Sequence, residues 1–406
     1  MRLIRREAYL SRLAEVEGTP DVKVVTGVRR CGKSKLLEEF ARDVCERDPS
    51  ANVIQVNFNL AEFEPLMEWR ALHEYIEARY AEGAANYIII DEVQMCEGFE
   101  RTVNSLHASE RYDIYLTGSN AFLMSSDLAT LFTGRTFSVP VYPFSLSEFM
   151  EYYELKDPGE AFERYALEGG MPGSYAYRTD EARYSYVADV FDTLIVRDIR
   201  QKHGIRNVDA LDRVADFLMD NVSNVTSAKS VADSLGAMGS KADDKTVGSY
   251  LGYLCDAFAF YKMRRYDTRG KRYLSSGNKY YLADHSFRYA KLGTRNMDYG
   301  RVYENMVAIE LMRRGYEVYA GMLYEKEIDF VAMRRSEKVY IQVSDSVSDS
   351  ATFERECAPL LAVRDAYPKL IIANTHHGTY TYEGIEVHDL ATWLAASEQG
   401  SESLRP

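Results

Sequence analysis

Apolar residues in this chain fall into short β-branched runs that alternate with stretches in which they recur every three or four positions. Val22–Thr26, Val53–Phe58, Tyr87–Ile90, Asp113–Thr117 and Phe137–Val141 read as strands, and Lys35–Phe40 has the apolar spacing of a helix. From about Val22 to Glu154 this alternation predicts a parallel sheet covered by helices. The break Glu168-Gly169-Gly170-Met171-Pro172-Gly173 is rich in turn residues and predicts a hinge, with helical segments following through Arg200. Next come helical patterns at Asp209–Asn221, Ser227–Leu235 and Lys245–Phe258, then strand-like runs at Phe260–Tyr266 and Lys279–Leu282. Three helices and a hairpin describe a winged helix-turn-helix. The remainder opens with an amphipathic helix, Arg301–Arg314. Strands follow at Glu317–Tyr319, Ile328–Met333 and Val339–Val343, then a helix over roughly Phe353–Ala366 and a strand at Leu370–Asn374. Residues from Ser397 onward are expected to be an unstructured tail.

The expected organisation is an α/β P-loop core over 1–168, a helical linker over 169–206 and a winged helix over 207–295, then an α/β domain over 296–396 and a tail over 397–406. A chain of 406 residues is longer than one hydrophobic core usually serves, in keeping with several domains.

Chemistry concentrates first between the first strand and the helix after it. Residues Gly27-Val28-Arg29-Arg30-Cys31-Gly32-Lys33-Ser34 have the G-x-x-x-x-G-K-[ST] spacing of a phosphate-cradling loop. Gly27 and Gly32 let the backbone curl so that its N–H groups converge on phosphate oxygens. Lys33 reaches the β- and γ-phosphates, and Ser34 ligates Mg²⁺. Arg29, Arg30, Cys31 and Lys35 complete the candidate nucleotide-binding segment, where the helix dipole adds to the positive field. Cys31 is either a thiol activated by those dipoles or simply a small residue that fits.

Tyr87-Ile88-Ile89-Ile90-Asp91-Glu92 is an apolar strand ending in two carboxylates. Asp91 is a candidate Mg²⁺ ligand, directly or through water, and Glu92 a candidate to orient and activate the attacking water. Asn120, after Leu116-Thr117-Gly118-Ser119, either hydrogen-bonds the γ-phosphate or caps the next helix. Arg135 is a candidate to supply positive charge to the transition state from a neighbouring subunit, or else pairs with a surface carboxylate.

The net charge of −13 gives no general attraction to nucleic acid, so any DNA contact must be local. One stretch qualifies: Lys262, Arg264, Arg265, Arg269, Lys271 and Arg272 stand against Asp267 alone at the tip of the expected wing, though winged helices also serve as protein-docking modules. The five cysteines are scattered and odd in number, which fits neither a disulfide framework nor a metal knuckle. There is no apolar run long enough to span a bilayer and no secretion-type start, so a cytoplasmic protein without a membrane partner is expected.

Together GVRRCGKS, IIIDEVQ, LTGSN and GRTFSVPVYPFSLSEF resemble the AAA-type ATP-binding proteins of bacteria and archaea that carry a C-terminal domain of unknown function with a restriction-endonuclease-like fold. The resemblance covers nearly the whole chain. It implies a core with strand order 5-1-4-3-2, ATP as the nucleotide, Gly32, Lys33 and Ser34 as the phosphate loop, Asp91 and Glu92 as the metal and water pair, and Asn120 as sensor.

In the restriction-endonuclease-like core a helical Glu, a strand Asp and a strand acid-x-lysine assemble a Mg²⁺ site. This chain offers Glu304, or Glu310, on the helix and Asp329 on a strand, but Gln342 and Ser344 stand where acid and lysine belong. A neutral amide is a poor substitute for a charged ligand, and Ser cannot polarise water, so a degenerate nuclease site is expected. Glu354 or Glu356 is the candidate replacement ligand, with no lysine at a matching position. The leading expectation is an ATP-hydrolysing switch or motor that couples Mg²⁺-ATP turnover to a winged helix and a C-terminal domain docking DNA or a protein partner, possible also as a homo-oligomer. The alternatives are an ATP-gated DNA nuclease and a nucleotide-binding scaffold with little turnover.

Overall fold

The computed structural model describes residues 2–118, 134–205, 207–239, 242–268, 270, 272–294, 298–324 and 326–396. They form two compact units, one of Arg5–Val141 with Asp256–Phe258, the other of the residues up to Ile4, Tyr142–Cys255 and the chain from Ala259 onward.

In the first unit, strands β1 (Val22–Thr26), β2 (Asn52–Asn57), β3 (Asn86–Asp91), β4 (Asp113–Thr117) and β5 (Thr136–Pro140) form one sheet in the order β2-β3-β4-β1-β5. Every neighbouring pair is parallel, and the order is the expected 5-1-4-3-2 seen from the other edge. β1 and β3 are buried along their whole length, which is why they read as unbroken apolar runs. Side-chain alternation splits them between two faces. Val22, Val24, Ile88, Ile90 and Leu116 pack with Leu72 and Ile76 of helix Trp69–Glu77 and Val103 and Leu106 of helix Phe99–Ala108. Opposite them, Tyr115 lies 4.7 Å from Phe40 of helix Lys33–Arg47. Lys23, wholly buried within β1, is neutralised by Asp113 at 2.5 Å and donates to the Thr19 carbonyl at 2.6 Å.

This order has a functional consequence. β4 lies between β1 and β3, so the end of β4 faces both the loop that follows β1 and the carboxylates that end β3.

In the second unit, helices Val208–Asp220, Ala228–Ala237 and Asp244–Asp256 precede a hairpin of β6 (Phe260–Asp267) and β7 (Arg272–Leu282). Thr226, between the first two helices, bridges antiparallel to Asn278 through bonds of 2.8 and 3.0 Å. The expected hairpin is also part of a larger sheet. β6 also pairs in parallel with β8 (Glu317–Leu323), from Arg265 opposite Ala320 to Asp267 opposite Met322. With β9 (Lys326–Arg334), β10 (Glu337–Ser344), β11 (Lys369–Ala373), β12 (Tyr380–Tyr382) and β13 (Ile385–Asp389) the result is an eight-stranded sheet in the order β12-β13-β11-β10-β9-β8-β6-β7. Helices Tyr299–Arg313 and Ser350–Ala362 and strands β8 to β11 follow the predicted succession. β12, β13 and the last helix, Leu390–Ala395, were not anticipated, because β12 is exposed throughout and only three residues long.

The expected hinge at Gly169 and Gly170 is instead a packed joint. Gly170 donates its N–H to Asp284 Oδ2 at 2.7 Å and accepts the Phe144 N–H at 2.7 Å. A Cβ on Gly169, held at φ +74°, would lie 2.4 Å from Asp284 Oδ1, so glycine is required there for closeness rather than mobility. The expected tail lies outside the described residues, as do Asn120, Arg269 and Lys271.

Candidate functional site

β1 ends at Thr26, and the loop after it is bent by residues in the left-handed region: Gly27 at φ 144°, Arg30 at 66° and Gly32 at 105°. Gly27 faces a second constraint, since a Cβ there would stand 2.0 Å from the Val141 carbonyl oxygen. Gly32 caps the helix, whose first internal bond runs from the Leu36 N–H to the Gly32 carbonyl at 3.0 Å. The amides of Lys33, Ser34 and Lys35 precede that bond and are open for an anion. Lys33 is buried, and its ammonium donates to the Gly27 and Val28 carbonyls at 2.8 and 3.1 Å, within the loop itself.

Asp91 closes β3 and is buried. Its Oδ1 accepts the Thr117 hydroxyl from the end of β4, while Oδ2 is buried without a hydrogen-bond partner. Burial pushes this carboxyl above its ordinary range, against the opposing pull of the Thr117 and Ser34 hydroxyls and of the Lys33 charge. An orphaned carboxylate oxygen beside a serine hydroxyl and a row of helix amides fits Mg²⁺, which binds through one or two protein oxygens plus phosphates. Glu92 follows in the left-handed region, at φ 56° and ψ 47°, a conformation costing a non-glycine residue about 1–3 kcal/mol. It is held by its N–H to Thr117 Oγ1 at 3.2 Å and by Gln94, whose amide donates to its carboxylate. Thr117 therefore touches both acids.

The other predicted loop residues separate. Cys31 is buried with its thiol donating to the Val141 carbonyl at 3.3 Å, a packing role. Arg29 is half-buried, Arg30 is exposed, and Lys35 lies on the outer helix surface, paired with Glu38 at 2.5 Å. Arg135 is exposed at the start of β5, and its carbonyl accepts the N–H of Val22 at the start of β1. The phosphate loop leaves the other end of β1, five residues away, or roughly 15 Å. Arg135 cannot reach the loop of its own chain.

Sequence reasoning missed three contributors. Thr117 ends a strand that was recognised, and Gln94 stands two residues past Glu92, so both had a local signal. Arg6 had none. It is buried, its guanidinium lies 4.4 Å from the Tyr9 ring centroid, and its Nη1 donates to the Cys31 carbonyl at 3.1 Å, bracing the phosphate loop.

In the second unit, Glu304 and Asp329 converge with Gln342 beside them: the Asp329 N–H is 3.4 Å from Gln342 Oε1. No lysine stands at the acid-x-lysine position of β10, but Lys279 of β7 reaches the cluster from a different element, 2.9 Å from Glu304 and 3.8 Å from Asp329. Glu310 instead binds Arg313 and Arg314 at 2.9 and 2.8 Å. Glu356, itself buried, is taken up by its exposed neighbour Arg355 at 2.9 Å rather than by the cluster. On the hairpin, Lys262 and Arg264 are exposed, whereas Arg265 is half-buried against Met322 Sδ at 3.6 Å; Arg272 belongs to β7.

An AAA domain model matches residues 19–150, and a model described as Domain of unknown function (DUF8612) matches residues 159–298. An uncharacterised protein of Haemophilus influenzae is 33% identical over 399 residues, covering 97% of this chain and 98% of that protein. An uncharacterised protein of Methanocaldococcus jannaschii is 25% identical over 404 residues, covering 95% and 88%. The solved Walker-type ATPase of Pyrococcus abyssi superposes with a TM-score of 0.49 at 17% identity, over 71% of this chain and 96% of that one. Among the described residues no helix is long and apolar enough to cross a membrane.

Proposed function

This chain belongs to the AAA-type P-loop ATPase family, and from that membership we propose that it binds Mg²⁺-ATP at the loop Gly27–Ser34 and hydrolyses it. The observation that carries this reading is the buried Asp91 Oδ2, which lacks a partner beside Ser34 and the open amides of the helix start. Asp91 and Ser34 would hold Mg²⁺, which when bound neutralises charge on the phosphates. Lys33 exchanges its loop carbonyls for phosphate oxygens. Glu92, fixed from both sides by Thr117 and Gln94, orients a water and takes its proton. Asn120 acts as the sensor of the γ-phosphate. Arg135, too far from its own loop, serves the site of a second copy, which makes the active form a homo-oligomer.

Beyond the core, the region 207–295 is a winged helix in our reading, supported by the three helices, the Thr226–Asn278 bridge and the hairpin. The region 296–396 is a restriction-endonuclease-like domain, supported by the antiparallel run β8-β9-β10 and the parallel β11. With 1–168 as the core and 169–206 as connecting helices, nucleotide state is read out as docking of a partner. A DNA partner is favoured by the exposed Lys262 and Arg264, two residues apart on β6.

Steady-state phosphate release tests the proposal. Wild type should turn over ATP, Glu92→Gln should bind ATP without turnover, and Lys33→Ala should bind it poorly. Turnover surviving Glu92→Gln would refute the assignment of the water-activating residue, and ATP binding unaffected by Lys33→Ala would refute the site.

A further inference from the structure

The proposed restriction-endonuclease-like fold implies a divalent metal held by Glu304, Asp329 and their strand neighbours. The residues present do not fit one. Lys279 has a side chain only 3% exposed, and its Nζ lies 2.9 Å from Glu304 Oε1, in contact with Glu327 Oε1 and 3.8 Å from Asp329 Oδ1. An ammonium surrounded by three carboxylates stands where their lone pairs converge, which is the position a cation would need.

Other acceptors in the cluster are also engaged. Glu304 Oε1 takes a second donor, the Tyr281 hydroxyl at 2.6 Å, and Tyr281 is two residues from Lys279 on the same face of β7. Asp329 Oδ2 accepts the Val343 N–H at 2.8 Å. Ser344 donates its hydroxyl to the Ser346 carbonyl at 2.9 Å, within its own turn.

Lys279 reaches this point because β6 is sheet-bonded to β8, which brings the whole hairpin alongside helix Tyr299–Arg313 and β9.

We infer that Lys279 is the resident cation of this cluster: its ammonium takes the place of a divalent metal, and the cluster is a charge lock tying the hairpin to the C-terminal sheet. A single-charge ammonium bound by carboxylates neither lowers the pKa of a water nor clamps a phosphodiester as a divalent ion does. The lock is metal-independent, and divalent metal enters only when Lys279 is removed. This inference concerns a site separate from the phosphate loop and stands whether or not ATP is hydrolysed.

The test uses nucleotide-free full-length protein and Mn²⁺, read by electron paramagnetic resonance and by thermal melting. Wild type should melt at the same temperature with and without Mn²⁺. Lys279→Ala should melt lower, bind one Mn²⁺ more than wild type, and regain roughly 5 °C in its presence. A folded Lys279→Ala protein that takes up no additional Mn²⁺ overturns the inference. Should that variant not fold, wild type and Asp329→Asn still decide. Mn²⁺ bound by wild type and lost in Asp329→Asn overturns the inference, and equal Mn²⁺ binding by the two supports it.

Discussion

The phosphate loop and the C-terminal cluster use the same residue types, a buried lysine near carboxylates, and arrive at opposite states. At the loop, Lys33 rests on two backbone carbonyls, and Asp91 keeps one oxygen with no hydrogen-bond partner. At the cluster, Lys279 rests on carboxylates, and Asp329 spends Oδ2 on a backbone amide. A carbonyl is a neutral partner that a lysine can leave for a phosphate at modest cost. A carboxylate in a buried site is not, since leaving it strands a charge away from water. What separates a site poised for a ligand from one closed on itself is therefore the lysine's resting partner rather than the residue list.

The sharpest way to break this contrast is at Glu92. If the loop is the open site, Glu92→Gln lowers ATP turnover about 10²–10⁴-fold with little change in nucleotide affinity, measured by phosphate release and calorimetry. At the closed site the corresponding insult falls on stability. Lys279→Ala should cost about 3–5 kcal/mol in chemical denaturation, because three carboxylates lose their buried counter-charge. A cost under about 1 kcal/mol would mean that water already screens the cluster.

Thr117 sharpens the comparison on the open side. Thr117→Val removes the hydroxyl that holds Asp91 and contacts Glu92, and should weaken Mg²⁺-ATP binding by about 1.5–3 kcal/mol in a magnesium-dependent titration. Nucleotide binding without magnesium should change less.

The smallest effect is a control for general loosening of the second unit. His285 is fully buried with Nε2 3.0 Å from the Tyr165 carbonyl, and burial lowers its pKa below 6.5. The unfolded chain therefore binds a proton below pH 6.5 that the folded chain refuses. The His285 contribution is present above pH 6.5 and is lost as pH falls toward the depressed folded value, with a slope of at most about 1.4 kcal/mol per pH unit. In His285→Gln the melting temperature should stay flatter between pH 6.5 and 5. A wild-type profile already flat there would contradict a buried neutral imidazole.

The local grammar of the chain was enough to locate the five parallel strands of the core, the glycines and lysine of the phosphate loop, and the acids Asp91 and Glu92. Each rests on an interaction between near neighbours: strand periodicity, positive φ at Gly27 and Gly32, a helix start after Lys33. The sequence also read three helices and a hairpin between 207 and 295. Only the tertiary structure decided what surrounds those residues. Arg6 braces the loop from 25 positions away, Thr117 joins Asp91 because β4 lies between β1 and β3, and the hairpin is drawn into a sheet through β8. Lys279 meets Glu304, Glu327 and Asp329 from separate elements. Hydrophobic spacing and turn chemistry act over a few residues and so are written in the order of the chain, whereas the neutralisation of a buried charge depends on distance in space, which no local pattern encodes.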